Sequence, residues 1–500
     1  MRICVVAEGC YPYVVGGVSS WVDSMIRSFP KHEFIVLAIV PSREWSGRFN
    51  YELPENVAEV REVYLIDDDW YRGRGQRRRA GTRSATGASV YEMLKSLLLR
   101  DTVDWTDLFG MFRDTDISLN DLLMGEDFMR AAIDVYRLRY AGIPFSDYLW
   151  TTRSIMLPLF ITMKCAVPKA DLYHCVATGY AGVLGAMAKS LYGCRLLVSE
   201  HGLYTREREE ELIKASWVHN AYKNIWIDQF KKMADVSYGY ADMVTSLFEH
   251  ARELQIEAGC DEAKTRVTPN GIDVERFANL PGKDEGDEYI NVGAVLRVAP
   301  IKDVKTLINS FYIAKRRESK LKLWIMGPMD EDPVYTVECQ DLVANLGLED
   351  VVFTDRVDVR QYLGKMDMTI LTSLSEGQPL TVLESFAAKK PAICTDVGNC
   401  RGLLYGEDDD FGEAGILCHI MNTTEIASAM VELARTPELR ERYAEVGYRR
   451  VMRKYKLSDM KDTYKEIYHH FSDDMGLEWP EDVDSADESA ASPDQPEGSE

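Results

Sequence analysis

The sequence predicts an α/β protein of two domains, each built on a doubly wound parallel sheet, and three observations support this prediction. Short apolar runs alternate with amphipathic helical segments along most of the chain, which is the pattern of parallel strands joined by crossover helices. The alternation stops at a polar, glycine-bearing stretch, LPGKDEGDE at 280–288, and then starts again. A chain of 500 residues is also too long for one hydrophobic core. We therefore expect domains at 1–280 and 281–456, facing each other across a cleft.

The first domain opens with a strand, a glycine loop and a helix. RICVVA at 2–7 is a buried strand, Gly16 and Gly17 end the loop, and an apolar stripe at helical spacing begins at Val18. Adjacent glycines before a helix let backbone N–H groups approach a phosphate or a sugar, although a tight turn that needs a positive φ explains the pair equally well. The spacing is not G-x-G-x-x-G, so the dinucleotide fingerprint is absent. From about 70 to 150 the alternation breaks down, which predicts a helical insertion.

Two segments of extreme composition lie outside the predicted cores. WYRGRGQRRRAGTR at 70–83 holds six arginines among glycines and predicts a mobile solvent loop, with a grip on an anionic partner as the alternative. At the other end, 472–500 contains eleven acidic residues and no Lys or Arg. This stretch predicts a disordered acidic tail over 473–500, after a last helix at 457–472.

Composition limits the class of function. The formal net charge is −23, but about half of it lies in the tail, so the body is only mildly acidic and a nucleic-acid binder is not expected. The ten cysteines show no C-x-x-C pair or zinc-ligand spacing, which predicts a reducing compartment and no metal site. The longest apolar run, IMLPLFITM at 155–163, is half of what a membrane span requires. We expect a cytoplasmic protein without transmembrane insertion, which reaches the inner membrane only through partners.

The stretch SEGQPLTVLES at 375–385 is the strongest candidate for a binding site. A short buried strand, MTIL at 368–371, precedes it, so the stretch begins at a strand's carboxyl end, where open α/β sheets bind ligands. Pro379 suits the first turn of a helix. The free N–H groups of Leu380 and Thr381 would then form an anion site at the helix N-terminus.

Glu376 and Glu384 flank this anion site, eight positions apart. An anion site between two carboxylates suits a molecule with phosphates in the middle and hydroxyls at both ends, and a nucleotide sugar has this shape. Glutamates around a helix start more often serve the helix dipole or solvent, so the interpretation needs a second signal.

That second signal is a pair of cations in LRVAPIKD, at the end of the second domain's first strand. Arg297 and Lys302 would open on the same crevice as Glu376, and two cations on a diphosphate stabilise a leaving group by several kcal/mol. In the first domain, His201 ends the strand RLLVSEHG and is a further candidate, although a histidine satisfied by the backbone is nearly as common. The two carboxylates share one edge and so do not match a glycosidase pair.

Together these motifs resemble the GT4 family of glycosyltransferases over about 1–472. The resemblance implies the GT-B fold, with two Rossmann-like domains facing across a cleft, and a retaining, metal-independent transfer that uses a UDP-sugar donor and no other cofactor. The motifs that carry it are Arg297 with Lys302, the E-x7-E of Glu376 and Glu384, PNGID at 269–273, and the early GG loop.

The resemblance also implies residue roles in the second domain. Arg297 and Lys302 would bind the diphosphate, Glu384 would hold the ribose, and Glu376 would face the donor sugar. The implied catalytic set is Arg297, Lys302, Glu376 and His201. The implied donor-binding set is Gly16, Gly17, Gly377, Gln378, Pro379, Leu380, Thr381 and Glu384.

From the first domain, Gly17 would lie near phosphate and acceptor, and His201 near the transferred sugar. The helix at 457–472 would cross back to this domain. Two departures from the family pattern stand out. Ala299 and Pro300 occupy the loop where an acidic residue is common, and EGQP replaces EGFP or EGLP, so that Gln378 adds an amide near the sugar.

More narrowly, EGCYPYVVGGVSSWV, TGYAG and SEHGLYTRERE resemble the PelF group of this family, the transferases of Pel exopolysaccharide synthesis in biofilms. This resemblance implies UDP-N-acetylgalactosamine as donor, with UDP-N-acetylglucosamine or UDP-glucose as alternatives. It further implies a growing polysaccharide as acceptor and an inner-membrane Pel synthase complex as partner.

Other functions remain open at this point. A UDP-N-acetylglucosamine 2-epimerase uses the same fold and would convert the donor without an acceptor. A nucleotide-gated scaffold on a membrane synthase would need no catalysis. A nicotinamide dehydrogenase is disfavoured because neither half carries the glycine fingerprint.

Overall fold

The computed structural model describes residues 1–66, 89–99, 102–114, 118–215, 218 and 220–480. The arginine-rich segment at 70–83 and residues 481–500 of the acidic tail lie outside these ranges, so both remain sequence predictions.

A parallel sheet of seven strands forms the described centre of the first domain. Its strands are β1 (Arg2–Glu8), β2 (Glu33–Ser42), β3 (Val57–Ile66), β4 (Leu172–Cys175), β5 (Arg195–Glu200), β6 (Met243–Ser246) and β7 (Thr265–Val267). They lie in the order β3-β2-β1-β4-β5-β6-β7. The order reverses between β1 and β4, which is where doubly wound sheets open a crevice. Apolar clusters cover both faces of the sheet.

Helices cover this sheet and form the insertion between β3 and β4. The helices are α1 (Gly17–Ser28), α2 (Val90–Leu99), α3 (Trp105–Asp114), α4 (Leu119–Met124), α5 (Glu126–Val135), α6 (Phe145–Lys164), α7 (Tyr180–Tyr192), α8 (Tyr204–Lys214), α9 (Asn220–Tyr240) and α10 (Glu249–Glu257). The insertion was predicted to end near 150, but α6 continues to Lys164. The apolar run at 155–163 supplies the buried face of this last part of α6.

The second domain repeats the architecture with a parallel sheet of six strands, in the order β10-β9-β8-β11-β12-β13. The strands are β8 (Ile290–Val295), β9 (Leu321–Met326), β10 (Val351–Asp355), β11 (Met368–Leu371), β12 (Ala392–Thr395) and β13 (Gly415–Cys418). The helices are α11 (Val304–Lys315), α12 (Pro333–Asn345), α13 (Arg360–Leu363), α14 (Leu380–Ala387), α15 (Cys400–Tyr405), α16 (Thr423–Arg435) and α17 (Pro437–Lys454). The two doubly wound sheets confirm the predicted fold class.

The last helix, α18 (Leu457–Asp474), packs on the first domain. Its buried side chains include Tyr464 and Tyr468, which join the apolar cluster of β1 and α1. The acidic tail was predicted to begin at 473, and this is wrong, because α18 continues to Asp474 and the chain beyond it is also packed. The Trp479 ring lies 4.6 Å from the His32 ring, an aromatic contact that holds this segment against the domain.

None of the helices in the part of the chain that the structure describes combines the length and the apolar character needed to cross a membrane.

Candidate functional site

The N-terminus of α14 opens on the cleft between the domains. All four residues of β11 are buried, and the chain then leaves the sheet at its carboxyl edge. Pro379 has an extended conformation with ψ 114°, so the helix begins at Leu380. Pro379 was predicted within the first turn, whereas it is the residue that precedes it. The N–H groups of Leu380 and Thr381 therefore start the helix, where the backbone donors lack intrahelical partners.

Lys302 and Glu376 form an ion pair beside this helix start. Lys302 ends a short 3-10 turn, and the next residue, Asp303, has φ 46° and caps α11 by accepting a bond from Thr306 N at 3.3 Å. The Lys302 Nζ lies 2.5 Å from Glu376 Oε1, and Ser373 Oγ donates to the same oxygen at 2.6 Å. The two charged side chains are only 17% and 12% exposed. Each charge is thus compensated at a site that is largely removed from water.

Arg297 does not join this pair. Its guanidinium donates to Glu331, which follows β9, and the two side chains are 43% and 41% exposed. The predicted convergence of two cations on Glu376 is therefore found for Lys302 only. The acidic stretch MDED at 329–332 is the feature of the sequence from which a competing partner for Arg297 could have been predicted. Because the Arg297–Glu331 pair is well exposed, little free energy is needed to separate it.

Glu384 lies one turn inside α14 and is half-buried. Burial raises the pKa of its carboxyl to about 7, and the positive charge of Arg276 opposes this shift. Arg276 belongs to a short 3-10 helix, Val274–Phe277, at the end of the first domain, and no motif in the sequence predicted its place beside Glu384. Glu384 therefore exchanges its proton near neutral pH.

Gly377 lets the two domains touch. A Cβ atom at this position would lie 2.3 Å from the backbone oxygen of His201, too close for any other residue without a shift. Asn399 N donates to the Gly377 oxygen at 2.8 Å. Gly398, with φ +51°, packs against the backbone of the same loop. The loop after β11 and the loop after β5 are thus in direct contact across the cleft.

His201 lies at this contact with its ring against α1. The ring centroid is 4.4 Å from that of Trp21, and the Nε2 atom is buried without a hydrogen-bond partner. Burial lowers the pKa of His201 to about 4, so the imidazole is neutral at pH 7. Sequence reasoning missed Trp21, which also contacts His174 and Tyr464 and links His201 to α18.

Gln378 was predicted to place an amide near the donor sugar, and in the structure its side chain contacts the end of the first domain. Its Oε1 accepts a bond from Asn270 N at 2.7 Å, and its Nε2 is buried without a partner. Asn270 belongs to the PNGID turn, so Gln378 joins the helix start to the end of the first domain. A contact between residues 108 positions apart carries no local signal in the sequence.

The GG loop faces α14 across the cleft. A Cβ atom on Gly17 would lie 3.6 Å from Leu380 Cδ1. Gly16 has an extended backbone with φ 175°, and neither glycine has a φ in the left-handed region. A tight left-handed turn therefore does not explain the two glycines, and a Cβ would fit at both positions, so the structure gives no steric reason for glycine at either one.

A cavity of about 630 Å³ lies between the domains next to Glu376. Its lining includes His201, Glu376 and Gly377, together with the ends of β5 and β6 and the loop after β12. Lys302, Arg297 and Glu384 do not line it. Among the described residues no group of three or more His, Cys, Asp or Glu side chains is placed to hold a metal ion.

Residues 1–263, more than half of the chain, match the family described as a domain of unknown function, DUF3492. The chain belongs to this family. In this DUF3492 member, residues 289–436 match a second family, described as glycosyl transferases group 1. That match covers the Lys302–Glu376 pair and α14, so the second domain carries the sequence pattern of group 1 glycosyl transferases.

Relatives of known name share part of the chain. It is 29% identical over 189 residues to a D-inositol 3-phosphate glycosyltransferase of Kineococcus radiotolerans, which covers 35% of this chain and 43% of the relative. It is also 29% identical over 172 residues to the N-acetyl-α-D-glucosaminyl L-malate synthase of Bacillus anthracis, covering 34% and 42%. The chain thus spans less than half the length of either relative.

A solved structure shows the same architecture over nearly the whole chain. HepE of Anabaena, in complex with UDP and glucose, superposes with a TM-score of 0.59 at 14% identity, covering 94% of this chain and 99% of HepE. At this identity the likeness concerns the fold alone, and it confirms the predicted GT-B arrangement of two Rossmann-like domains.

Proposed function

We propose that this protein is a retaining, metal-independent GT4 glycosyltransferase that transfers a hexosamine or hexose from a UDP-sugar to a growing exopolysaccharide chain. The observation that carries the proposal is the meeting of Lys302, Glu376 and the N-terminus of α14 at a cleft whose other wall holds Gly17 and His201. A cation, a carboxylate and free N–H groups are what a sugar diphosphate requires.

The two ion pairs, Lys302–Glu376 and Arg297–Glu331, are consistent with a site that has no ligand bound. Without a diphosphate, Lys302 compensates Glu376 and Arg297 compensates Glu331. A bound diphosphate would attract both cations and would free Glu376 to accept hydrogen bonds from hydroxyls of the donor sugar. Arg297 reaches the phosphates in this proposal by leaving a well-exposed partner, which costs little.

In the transfer, the bond from the sugar's anomeric carbon to the β-phosphate oxygen breaks, and the bond to the acceptor oxygen forms on the same face. The departing phosphate oxygen takes the proton of the acceptor hydroxyl. Lys302, Arg297 and the helix N-terminus stabilise the charge that builds on the diphosphate. His201, neutral at pH 7, adds no positive charge beside the sugar.

The finer assignment is a Pel-type transferase that acts at the cytoplasmic face of an inner-membrane synthase complex, with UDP-N-acetylgalactosamine as donor. The resemblance of the EGCYPYVVGGVSSWV, TGYAG and SEHGLYTRERE segments to the PelF group supports it. UDP-N-acetylglucosamine and UDP-glucose are the competing donors.

Isothermal titration with UDP-, GDP- and ADP-sugars tests the proposal. We expect UDP-sugars to bind and Glu376→Ala to abolish transfer. Conversion of the donor alone into an isomer would instead show an epimerase. Polymer output unchanged by Glu376→Ala would show a scaffold without catalysis. Binding of none of the UDP-sugars would contradict the proposal.

A further inference from the structure

Glu8 lies at the carboxyl end of β1, next to the point where the strand order of the first sheet reverses. The side chain is half-buried, and each carboxylate oxygen accepts one hydrogen bond. Oε2 accepts from Ala181 N at 3.0 Å, in the first turn of α7. Oε1 accepts from the Tyr204 hydroxyl at 2.9 Å, at the start of α8. One carboxylate thus joins three segments of the first domain.

The three segments are tightly packed where they meet. Gly179 immediately precedes α7, and a Cβ atom there would lie 2.6 Å from Glu8 Oε2 and closer still to the Tyr204 ring. Any side chain at position 179 would therefore push the carboxylate and the ring apart. The Tyr204 ring also contacts Phe230 of α9, with 5.9 Å between the ring centroids. Its place is thus fixed by packing and by the bond to Glu8.

Both sides of His201 are anchored to the loop after β4. Tyr204 lies three residues after His201, so its position sets the end of the turn that His201 begins. On the other side, Glu200 Oε1 accepts a bond from the Thr178 hydroxyl at 2.7 Å. Thr178 and Gly179 are neighbours in the chain, so one loop holds Glu200 directly and Tyr204 through Glu8.

The His201 turn is the part of the first domain that touches the loop of Glu376. A Cβ atom on Gly377 would meet the His201 backbone oxygen before any other atom, and the His201 ring packs on Trp21. Because only two residues separate His201 from Tyr204, a shift of Tyr204 would move this oxygen and this ring. A misplacement of about 1 Å can lower the rate of a reaction about 100-fold.

A carboxylate suits this junction better than an amide does. Burial raises the pKa of Glu8, and the bonds from Ala181 and Tyr204 and the positive charge of Arg208 oppose this shift. The Ala181 amide also belongs to a helix N-terminus, which favours a negative group. In Glu8→Gln one of the two donors would face an NH2 group, which cannot accept its hydrogen bond.

We propose that Glu8 is a positioning residue for His201, and that it acts by holding Tyr204 and thereby the turn by which the first domain meets the second. The proposal rests on the proposed function, since it assigns a residue that sets the geometry of the same site. The alternative is a purely structural carboxylate that caps α7 and has no influence on His201.

Two variants break the same hydrogen bond from its two ends. Glu8→Gln changes the acceptor, and Tyr204→Phe removes the donor while it keeps the packed ring. Asp242→Asn is the matched control, because Asp242 accepts a bond from Leu196 N at 2.8 Å but lies just before β6, at the opposite edge of the sheet. A structural role alone predicts lower stability in Glu8→Gln and in Asp242→Asn, with no other change.

The first measurement follows the His201 ring by NMR of full-length protein with 13C-labelled histidines. The chain has eight histidines, and loss of one signal in His201→Gln assigns the resonance. Since burial lowers the pKa of His201 to about 4, its signal should stay constant between pH 5 and pH 8 in wild type and in Asp242→Asn. In Glu8→Gln and Tyr204→Phe the loosened turn should admit water, raise the pKa towards 6.5 and make the signal move. A constant signal in both variants overturns the proposal.

The second measurement is the rate of sugar transfer. We expect Glu8→Gln and Tyr204→Phe to lower kcat about 10- to 100-fold, with the affinity for UDP unchanged. The two changes together should cost no more than the larger single one, and neither should lower kcat further in a His201→Gln background. The same loss in the wild-type and His201→Gln backgrounds overturns the proposal, as does a kcat equal to that of wild type in both variants.

The two measurements distinguish this proposal from the proposed function. Wild-type protein that binds and transfers no UDP-sugar contradicts the proposed function. The NMR titration needs no substrate, so it still decides whether Glu8 positions His201.

Discussion

Lys302 and Glu376 show how a charged site is kept stable without a ligand. Their contact of 2.5 Å is largely shielded from water, and Ser373 adds a third group to it. A lone charge at this position would raise the free energy of the folded state, and in the pair each side chain compensates the charge of the other.

Replacement of Lys302 by alanine should lower turnover about 100- to 1,000-fold, because it removes a cation from the charge that develops on the leaving diphosphate. Steady-state kinetics measure this loss, and circular dichroism should show an unchanged fold. Lys305→Ala is the matched control, since Lys305 pairs with Glu338 on the surface of α11 and should leave turnover unchanged. Turnover of Lys302→Ala within about tenfold of wild type would refute the assigned role, whereas a lower stability would not, because Glu376 loses its partner in this variant.

Glu384 should make donor binding depend on pH. Its carboxyl has a pKa of about 7, so it becomes a full acceptor for ribose hydroxyls only as the pH rises through 7. We expect affinity for UDP to increase up to about tenfold between pH 6 and pH 8 in a manner that Glu384→Gln abolishes. Because a phosphate of UDP also titrates near pH 6, the deciding quantity is the difference between the two proteins. Equal pH profiles would contradict the ribose role.

The raised pKa of Glu384 also makes the free energy of unfolding depend on pH. The folded protein holds the Glu384 proton to a higher pH than the unfolded chain does, so this group lowers stability as the pH rises from its ordinary value of 4.5 towards 7. Glu384→Gln removes that contribution.

At the residue scale, contacts that follow from strand order could be predicted from the sequence. Contacts between residues far apart in the chain could not. Lys302 and Glu376 lie in the loops that follow two adjacent strands, β8 and β11, so sheet topology brings them together. Arg297 also follows β8, but Glu331 from the loop after β9 competes for it. Gln378 and Asn270 meet only through the packing of two domains, which no local pattern reveals.

At the scale of elements, α18 packs beneath the candidate site and contacts the residues that position His201. The Tyr464 hydroxyl lies 3.1 Å from Ser199 Oγ, 3.2 Å from Thr245 Oγ1 and 3.1 Å from Thr268 Oγ1. Its ring contacts Trp21, which in turn contacts His201. Helix α18, from the end of the described chain, thus holds the Trp21 ring against which His201 packs.

Tyr464→Phe should destabilise the protein by about 1 to 3 kcal/mol, because it leaves three buried hydroxyls without their common partner and changes no packing volume. Urea unfolding followed by circular dichroism measures the effect. Tyr468→Phe is the comparison, since the Tyr468 hydroxyl contacts His174 Nδ1 at 2.7 Å, a single partner, and should have a smaller effect. Equal stability of Tyr464→Phe and wild type would show that the network contributes nothing.

Gly377→Ala should push the domains apart at their contact. The new methyl group would lie 2.3 Å from the His201 oxygen, which is backbone and cannot swing away. We expect a larger radius of gyration in X-ray scattering and a loss of transfer, with each domain still folded. Gly282→Ala in the linker is the control, because its Cβ would meet nothing within 4 Å. Unchanged scattering and activity would show that this contact is not needed.

Element boundaries were predicted less well than element types. MTIL at 368–371 is β11, as the sequence predicted, because a short apolar run ended by polar residues has few other structures. The starts and ends of helices depended on contacts instead. Pro379 stays outside α14, and α18 passes the predicted end because its last turn packs on the first domain.

For the whole molecule, the repeat of one architecture in two domains was predictable because both halves show the same alternation and a polar linker separates them. The path of the chain between the domains was predicted only through family resemblance. The chain leaves the first domain at residues 270–274 and returns to it at residues 455–457, and these two segments lie side by side. Ile272 N donates to Tyr455 O at 2.9 Å, and Leu457 N donates to Ile272 O at 2.8 Å.

Since the outgoing and returning strands share one crossing point, a break in the linker should not release either half. Residues 281–286 are exposed, so a protease site placed there can be cut in the folded protein. The carboxyl-terminal fragment would still have α18 embedded in the amino-terminal one. We expect two bands under denaturing electrophoresis and one peak of intact size in gel filtration, while two separate peaks would show that the returning helix alone cannot hold the halves together.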